Sequence, residues 1–365
     1  MKIIKIFFKE ILKSIISLFI SIYFIFLRKQ DFDVDKIDNI LFICLKPLGI
    51  GDLLMDTPCF REIKSRLPNK NIVLLTDKDL LNRSKLFDEI IIKNSFKDLI
   101  KLRKKYDLIV LLNKNLLQSL AALFLRKRYL LGYLYNWRVK ANFRLKYSFE
   151  FSPKIHYYNM GSNVIKSLGI DNINWKLEKL NWNSNELNSV KKAINYDNEK
   201  IIVINPNVLW KSRTWPKEKY KELIKRLIAD KKFKIVIIGG LEDIEYNQEF
   251  DKHFSDENNY INITGKINLF ELAALFSISD LLITGDAGPM HIAVSEGCKI
   301  LSLWGVTDPL TRLPLDRIDK DIFYIYPGND SDAGKYNMEH EPINNKVIDG
   351  ITVDEVYSKL MEIIK

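Results

Sequence analysis

Cysteine is scarce: the 365 residues contain three, Cys44, Cys59 and Cys298, far apart and without a CxxC pair. That spacing argues against a disulfide framework and a thiolate zinc site, and it fits a reducing compartment. Histidine is nearly as rare. His156, His253, His291 and His340 show no ligand spacing, so no metal site is expected. Long apolar runs are missing as well. The uncharged stretch Ser14–Leu27 falls short of the ~20 residues that a membrane-spanning helix needs. Phe26-Leu27-Arg28-Lys29 offers no small-residue site for signal-peptide cleavage. No short-period repeat is visible.

What is present is positive charge. The formal net charge is +10, which predicts an anionic partner: a nucleotide, a phosphorylated glycan, nucleic acid or an acidic membrane face. Heavy use of Ile, Lys and Asn matches a base-composition bias, so part of this basicity is discounted. Residues 1–30 are a special case. At ~100° per residue, Lys2, Lys5, Lys9 and Lys13 share one half of a helical wheel with Ser14, Ser17 and Ser21. Ile4, Phe8, Ile11, Ile15 and Phe19 occupy the other half. Residues 1–30 are read as a basic amphipathic helix that lies in the plane of an anionic membrane. The alternative is a helix docked on the protein's own core.

After the acidic linker DFDVDKIDN, short apolar runs alternate with helical patterns. ILFICL (Ile40–Leu45), NIVLLTD (Asn71–Asp77), IIIK (Ile90–Lys93) and DLIVLLN (Asp107–Asn113) read as strands, with a helix over Thr57–Leu67. The pattern restarts at Ile201. KIIVINPN, KIVIIGG (Lys234–Gly240), LLIT and KILSLWG (Lys299–Gly305, read as the last strand) alternate with helices over Pro216–Asp230 and Asn268–Asp280. Such alternation predicts parallel sheets covered on both faces. The expected fold class is α/β: two doubly wound, Rossmann-like domains facing a cleft, with ligands at the carboxyl ends of strands. Expected boundaries are 38–180 and 198–345, around a less regular stretch at Trp175–Asp197. A final helix over 352–365 is expected to pack back on the first domain.

Three stretches carry possible chemistry. KPLGIGDLLMDTP (Lys46–Pro58) sits where a strand ends and a helix begins, the usual place of a phosphate loop. It nevertheless carries Asp52 where an anion site wants no negative charge; the plainest role for that carboxylate is to cap the following helix. In LLITGDAGPMHIAVSEG (Leu281–Gly297), a strand runs through Asp286, Ala287, Gly288 and Pro289 into a helix starting near Met290. Glycines allow close ligand approach, the helix start offers N–H groups to an anion, and His291 adds a donor. The competing reading makes Asp286 a cap and His291 a buried polar residue. NPNVLWKSRTWP (Asn205–Pro216) holds Lys211 and Arg213 between Trp210 and Trp215, either as cations for a pyrophosphate or as a solvated basic turn. VIIGG followed by Glu242 is a generic strand-to-glycine turn. Between Arg126 and Tyr147, basic residues interleave with aromatics, a pattern for single-stranded nucleic acid or for a sugar-phosphate acceptor. In the first domain of the two-domain architecture the acceptor reading fits better, with sugars stacking on Tyr133 or Trp137 beside Arg138; the alternative is a solvated basic face with core aromatics.

Taken together, GIGDLLMDTPCFREIKSRLP, KSRTWP and GKINLFELAALFSISDLLITGDAGPMHIAVSEGCKILSLWGVTDP resemble glycosyltransferase family 9, the heptosyltransferase-type enzymes of lipopolysaccharide cores. The likeness covers roughly Ile40–Lys365. It implies a GT-B fold and makes Asp52 the catalytic base, which takes the proton of the acceptor hydroxyl, with Gly49 and Gly51 letting a sugar approach. Lys211, Arg213, Asp286, Gly288, Pro289, Met290 and His291 fall on the donor side. Lys46, counted with the acceptor side, is expected to orient the acceptor or the donor phosphate. Two positions depart from the family: Arg213 stands where lysine is usual, and Ala287 where Ser or Thr is usual. The second removes a hydroxyl that would contact phosphate, worth ~1 kcal/mol. The Asp-X-Asp spacings in DFDVD and in DSD (Asp330–Asp332) lie in a linker and a polar loop, so metal dependence is not expected.

The resulting expectation is an inverting, metal-independent glycosyltransferase without a cofactor, at the cytoplasmic face of the cell membrane. It would move a sugar of the heptose type from a nucleoside diphosphate donor, ADP-heptose among the candidates, to an anionic lipid-linked glycan; nucleic acid is not an expected partner. Alternatives are a hexose or N-acetylhexosamine donor, a sugar-nucleotide epimerase on the same fold, or a membrane-bound scaffold with a decayed site.

Overall fold

Both halves of the chain build a sheet in which every neighbouring pair of strands is parallel. The structure, a computed structural model, describes residues 33–45, 49–93, 95–112, 116–132, 156–208, 213–305, 307–328 and 346–365. The expected amphipathic helix at residues 1–30 lies outside these. Among the described residues no helix is long and apolar enough to cross a membrane. The chain divides into two compact units, Met1–Trp175 and Lys176–Lys365.

The first unit runs β1 (Asn39–Cys44), α1 (Ile50–Arg66), β2 (Asn71–Thr76), β3 (Glu89–Ile92), α2 (Phe96–Leu102), β4 (Leu108–Leu111), α3 (Leu116–Leu125), β5 (Tyr129–Gly132) and α4 (Tyr157–Lys166). The sheet order is β3-β2-β1-β4-β5. β1 reads as an unbroken apolar run because both of its faces are covered. Leu41 and Ile43 join Leu99, Leu102, Ala122 and Leu125 of α2 and α3, while Phe42 meets Phe60 of α1 edge-on at 5.0 Å.

The helix expected over Thr57–Leu67 in fact starts at Ile50 and carries Pro58 in its interior. A proline there removes the hydrogen bond to the carbonyl four residues back, which is that of Leu54. The Thr57 hydroxyl donates to Leu54 O at 2.6 Å instead, so the Thr-Pro pair repairs its own break. That early start moves Asp52 from the loop into the first helical turn.

The second unit continues with α5 (Ser184–Ala193), β6 (Lys200–Asn205), α6 (Lys217–Ala229), β7 (Phe233–Ile237), α7 (Ile244–Phe254), β8 (Tyr260–Asn262), α8 (Leu269–Ser277), β9 (Leu281–Thr284), α9 (Gly288–Glu296), β10 (Ile300–Leu303), β11 (Ile322–Ile325), α10 (Lys346–Asp349) and α11 (Val353–Ile364). Its sheet order is β11-β10-β9-β6-β7-β8. β10 is therefore not the last strand: β11 pairs with it along Ile300–Leu303. β5, β8 and β11, three or four residues long, are strands that the sequence pattern does not announce. The stretch read as irregular contains α5, opened by Asn183, whose side chain accepts the Asn185 N–H while Glu186 reaches back to the Asn183 N–H. α11 buries Val356, Leu360 and Ile363 in the core of the second unit, against Tyr220, Leu223 and Leu227 of α6.

In both sheets the order reverses once, between β1 and β4 and between β6 and β9. At such a switch point the loops leaving the carboxyl ends diverge and open a ligand crevice. The three chemistry-bearing motifs follow β1, β6 and β9.

Candidate active site

In the first unit, Gly49 is the N-cap of α1 and Asp52 is its third residue. The Gly49 N–H donates to Asp52 Oδ2 at 2.8 Å, the returning half of a capping box. A Cβ on Gly49 would stand 3.1 Å from that oxygen, so glycine gives the carboxylate room to fold back. Gly51 is buried in the first turn. Asp52 thus does cap the helix. A carboxylate has about four lone-pair sites, and the cap bond leaves its chemistry compatible with proton abstraction. One turn on, Asp56 is 1% exposed, an acidic side chain inside the helix packing that the sequence reading did not single out. Cys44, at the end of β1, is held as a thiol: burial pushes its pKa up, and Asp56, Asp77 and Asp52 add to the rise. Lys46, Tyr133, Trp137 and Arg138 lie outside the described residues.

In the second unit, the loops after β6 and β9 meet. Arg213 Nη1 lies 2.7 Å from Asp286 Oδ2, with side chains only 13% and 9% exposed. The strands beneath are tied by Asn205 Nδ2 donating to Thr284 Oγ1 at 3.0 Å, a buried bond. Gly285 is required by packing, since a Cβ there would stand 2.5 Å from Arg213 O. Asp286 therefore holds the guanidinium, and the pairing cancels a carboxylate charge that would repel a phosphate. Lys211, the other expected cation, lies outside the described residues.

The start of α9 offers fewer amides than its sequence suggests. Pro289 has no N–H, and the Met290 N–H turns back to Ala287 O at 3.1 Å. Gly288 remains as a donor of the first turn, with the positive end of the helix dipole behind it. Ala287 is the N-cap, extended at φ −145°, and makes no side-chain cap bond. His291 is 3% exposed, and its Nδ1 is buried without a hydrogen-bond partner among the described residues. Burial depresses its pKa to about 4, with Arg312 adding to the effect and Asp286 opposing it. It is a neutral imidazole in this site and supplies no positive charge to an anion.

The structure adds two groups that the sequence reading missed. Arg312, in the turn after β10, brings a second positive charge to the neighbourhood of His291. Asn207 Nδ2 donates to Asp243 Oδ1 at 2.6 Å, and Gly240 N donates to Asp243 Oδ2 at 2.8 Å. The acidic residue fixed beside the β6 loop is therefore Asp243; its neighbour Glu242 is exposed. No sequence spacing links Asn207 to Asp243, because sheet order alone brings β6 beside β7. Among the described residues no group of three or more His, Cys, Asp or Glu is placed to hold a metal ion.

Comparison with known proteins gives this geometry its context. A profile described as glycosyltransferase family 9 (heptosyltransferase) matches residues 97–330. The lipopolysaccharide core heptosyltransferase OpsX of Haemophilus influenzae is 35% identical over 78 residues, 21% of this chain and 22% of that protein. Lipopolysaccharide heptosyltransferase 2 of Escherichia coli is 28% identical over 106 residues, 28% of this chain and 30% of that protein. The aligned segments thus span less than a third of these two relatives. The crystal structure of a family 9 glycosyl transferase from Veillonella parvula matches with a TM-score of 0.76 at 21% identity, covering 92% of this chain and 99% of the other. E. coli ADP-heptose LPS heptosyltransferase II matches with a TM-score of 0.67 at 20% identity, over 89% and 98%. These likenesses show a shared fold, the GT-B-like class of two parallel-sheet α/β domains expected from the sequence.

Proposed function

The chain belongs to glycosyltransferase family 9, and from that premise we propose that it transfers a sugar from a nucleoside diphosphate donor to a hydroxyl of a lipopolysaccharide-core or other lipid-linked glycan. The observation that carries the reading is the Arg213–Asp286 pair at the start of α9, where the switch point of the second sheet gathers a fixed guanidinium and a helix N-terminus. A leaving diphosphate is what such a site stabilises best.

In this reading Asp52 takes the proton of the acceptor hydroxyl as its oxygen attacks the anomeric carbon. The bond from that carbon to the diphosphate oxygen breaks, the configuration inverts, and the charge left on the diphosphate is met by Arg213, Lys211 and the Gly288 amide. Transfer proceeds without a metal ion, these groups supplying the positive charge. Lys46, Tyr133, Trp137 and Arg138 form the acceptor side, and residues 1–30 hold the enzyme on the inner face of the membrane, where a lipid-linked acceptor is presented. One relative's name specifies ADP-heptose, so an ADP-sugar of the heptose type is the first donor to test. A hexose or N-acetylhexosamine donor is the second reading; the missing phosphate-contacting hydroxyl at Ala287 bears instead on the alternative of a scaffold with a decayed site.

The test is to incubate the full chain with ADP-, GDP- and UDP-sugars in EDTA, with and without core glycolipid, and to follow nucleoside diphosphate release. Acceptor-dependent release from one donor class, with an inverted anomeric signal in the product, supports the proposal. Folded protein that releases nothing from any donor removes it in favour of the scaffold reading.

A further inference from the structure

Arg213 belongs to a turn that is pinned by the segment leading into α11. Trp215 is fully buried, its ring meets Tyr220 edge-on at 4.8 Å, and its indole Nε1 donates to Ile351 O at 3.0 Å. Lys219 Nζ donates to the same carbonyl at 2.7 Å. Ile351 stands just before α11, which is itself fixed by Thr352 and Glu355 at its start. At its end, Lys299 and Lys200 donate to the carbonyls of Ile363 and Ile364. Within the turn, the Thr214 hydroxyl donates to Val208 O at 3.3 Å, and the Arg213 carbonyl lies against Gly285, which has no Cβ to push it away.

We propose that Trp215 is a positioning residue for Arg213, and that the carboxyl-terminal segment from Asp349 onward acts through it to hold the guanidinium in register with Asp286 and the start of α9. The inference rests on the reading of Arg213 as a diphosphate ligand. Its physical basis is leverage: Arg213 is two residues from a buried, doubly anchored indole, and a long cationic side chain holds one rotamer only when its backbone is fixed. The C-terminal helix thereby becomes part of the donor site without touching the ligand.

The experiment measures binding of ADP, GDP and UDP, each beside its own nucleoside, by titration calorimetry on the full chain. Wild type, Trp215→Phe, Lys219→Met, Arg213→Met and the Trp215→Phe/Arg213→Met double variant are compared. Phe keeps an aromatic ring against Tyr220 and deletes the N–H, but it is a smaller side chain in a fully buried place, so each titration is paired with an unfolding midpoint on the same sample. The expected result is about fivefold weaker diphosphate binding in Trp215→Phe, with nucleoside binding unchanged. Arg213→Met should weaken diphosphate binding about tenfold or more, with no further loss in the double variant. If Trp215→Phe fails to fold, Lys219→Met decides by the same selective loss. Unchanged diphosphate affinity in the folded Trp215 or Lys219 variant, while Arg213→Met is weakened, overturns the positioning role alone. A full additive loss in the double variant overturns it equally. If Arg213→Met binds like wild type, or no diphosphate binds wild type, the reading of Arg213 itself fails, and the inference with it.

Discussion

The Gly49 N–H donates to Asp52 Oδ2 at 2.8 Å, so the carboxylate proposed as catalytic base also closes the first turn of its own helix. The two roles separate by substitution. Asn keeps an oxygen that can accept the Gly49 N–H, whereas Ala keeps none. Asp52→Ala should lower the stability of the first unit by about 1 kcal/mol, and Asp52→Asn by only a few tenths through the lost charge at the helix start. Urea unfolding of both variants checks this; equal midpoints for Ala and wild type would mean that the cap contributes nothing.

Ala287 is a poor N-cap in a place that asks for a hydroxyl. Ala287→Ser should stabilise the second unit by about 1 kcal/mol if its oxygen caps α9. Where the oxygen meets phosphate instead, it should tighten diphosphate binding by up to about fivefold. Thermal unfolding with and without nucleotide distinguishes the two, since a cap raises the apo midpoint and a ligand contact raises only the liganded one.

His291 makes stability depend on pH in a defined window. Its folded pKa of about 4 lies below the ordinary histidine value of 6.5. Between these values the unfolded chain binds a proton that the folded chain does not. Stability is therefore full above about 6.5 and falls as pH drops toward 4, by at most about 3 kcal/mol. Glu296, whose pKa burial raises, acts with the opposite sign, so the comparison is between wild type and His291→Gln. From pH 7 to 4 the wild-type midpoint should fall relative to that of His291→Gln, and parallel curves would contradict the assignment.

Two glycines give contrasting expectations. A Cβ at Gly285 meets the backbone oxygen of Arg213 at 2.5 Å, and one at Gly161 meets Cys59 Sγ at 2.6 Å. A backbone cannot yield as a side chain can. Gly285→Ala should cost about 1–3 kcal/mol and weaken nucleoside diphosphate binding, because it displaces the Arg213 turn. Gly161→Ala should destabilise the first unit less and leave nucleotide affinity alone. Calorimetric titration of both variants with ADP and UDP measures the difference.

The sequence announces the parts of this protein that are long, apolar and locally punctuated. β1, β2, β6, β7 and β9 are covered on both faces and read as apolar runs, and the loops that follow β1, β6 and β9 stand out by their glycines and charges. Relationships across the sheet are not legible. Nothing in NPNVLWKSRTWP says that Arg213 faces Asp286, that Asn207 faces Asp243, or that Trp215 reaches Ile351, because strand order delivers the first two partners and the packing of α11 on α6 delivers the third. The start of α1 is hidden for a local reason: Pro58 reads as a boundary until the Thr57–Leu54 bond shows how the helix passes it. His291 reads as a donor, and its burial, which sequence does not display, makes it neutral.

If Asp52 is the base of a sugar transfer, removing its carboxylate must stop acceptor-dependent turnover without unfolding the protein. The most direct measurement is acceptor-dependent nucleoside diphosphate release by wild type and Asp52→Asn, side by side in EDTA, with unfolding midpoints taken on the same samples. The expected result is release by wild type, a loss of about 100-fold or more in Asp52→Asn, and nearly equal midpoints because Asn retains the cap. Equal release by the two proteins would contradict it and leave Asp52 as a helix cap alone.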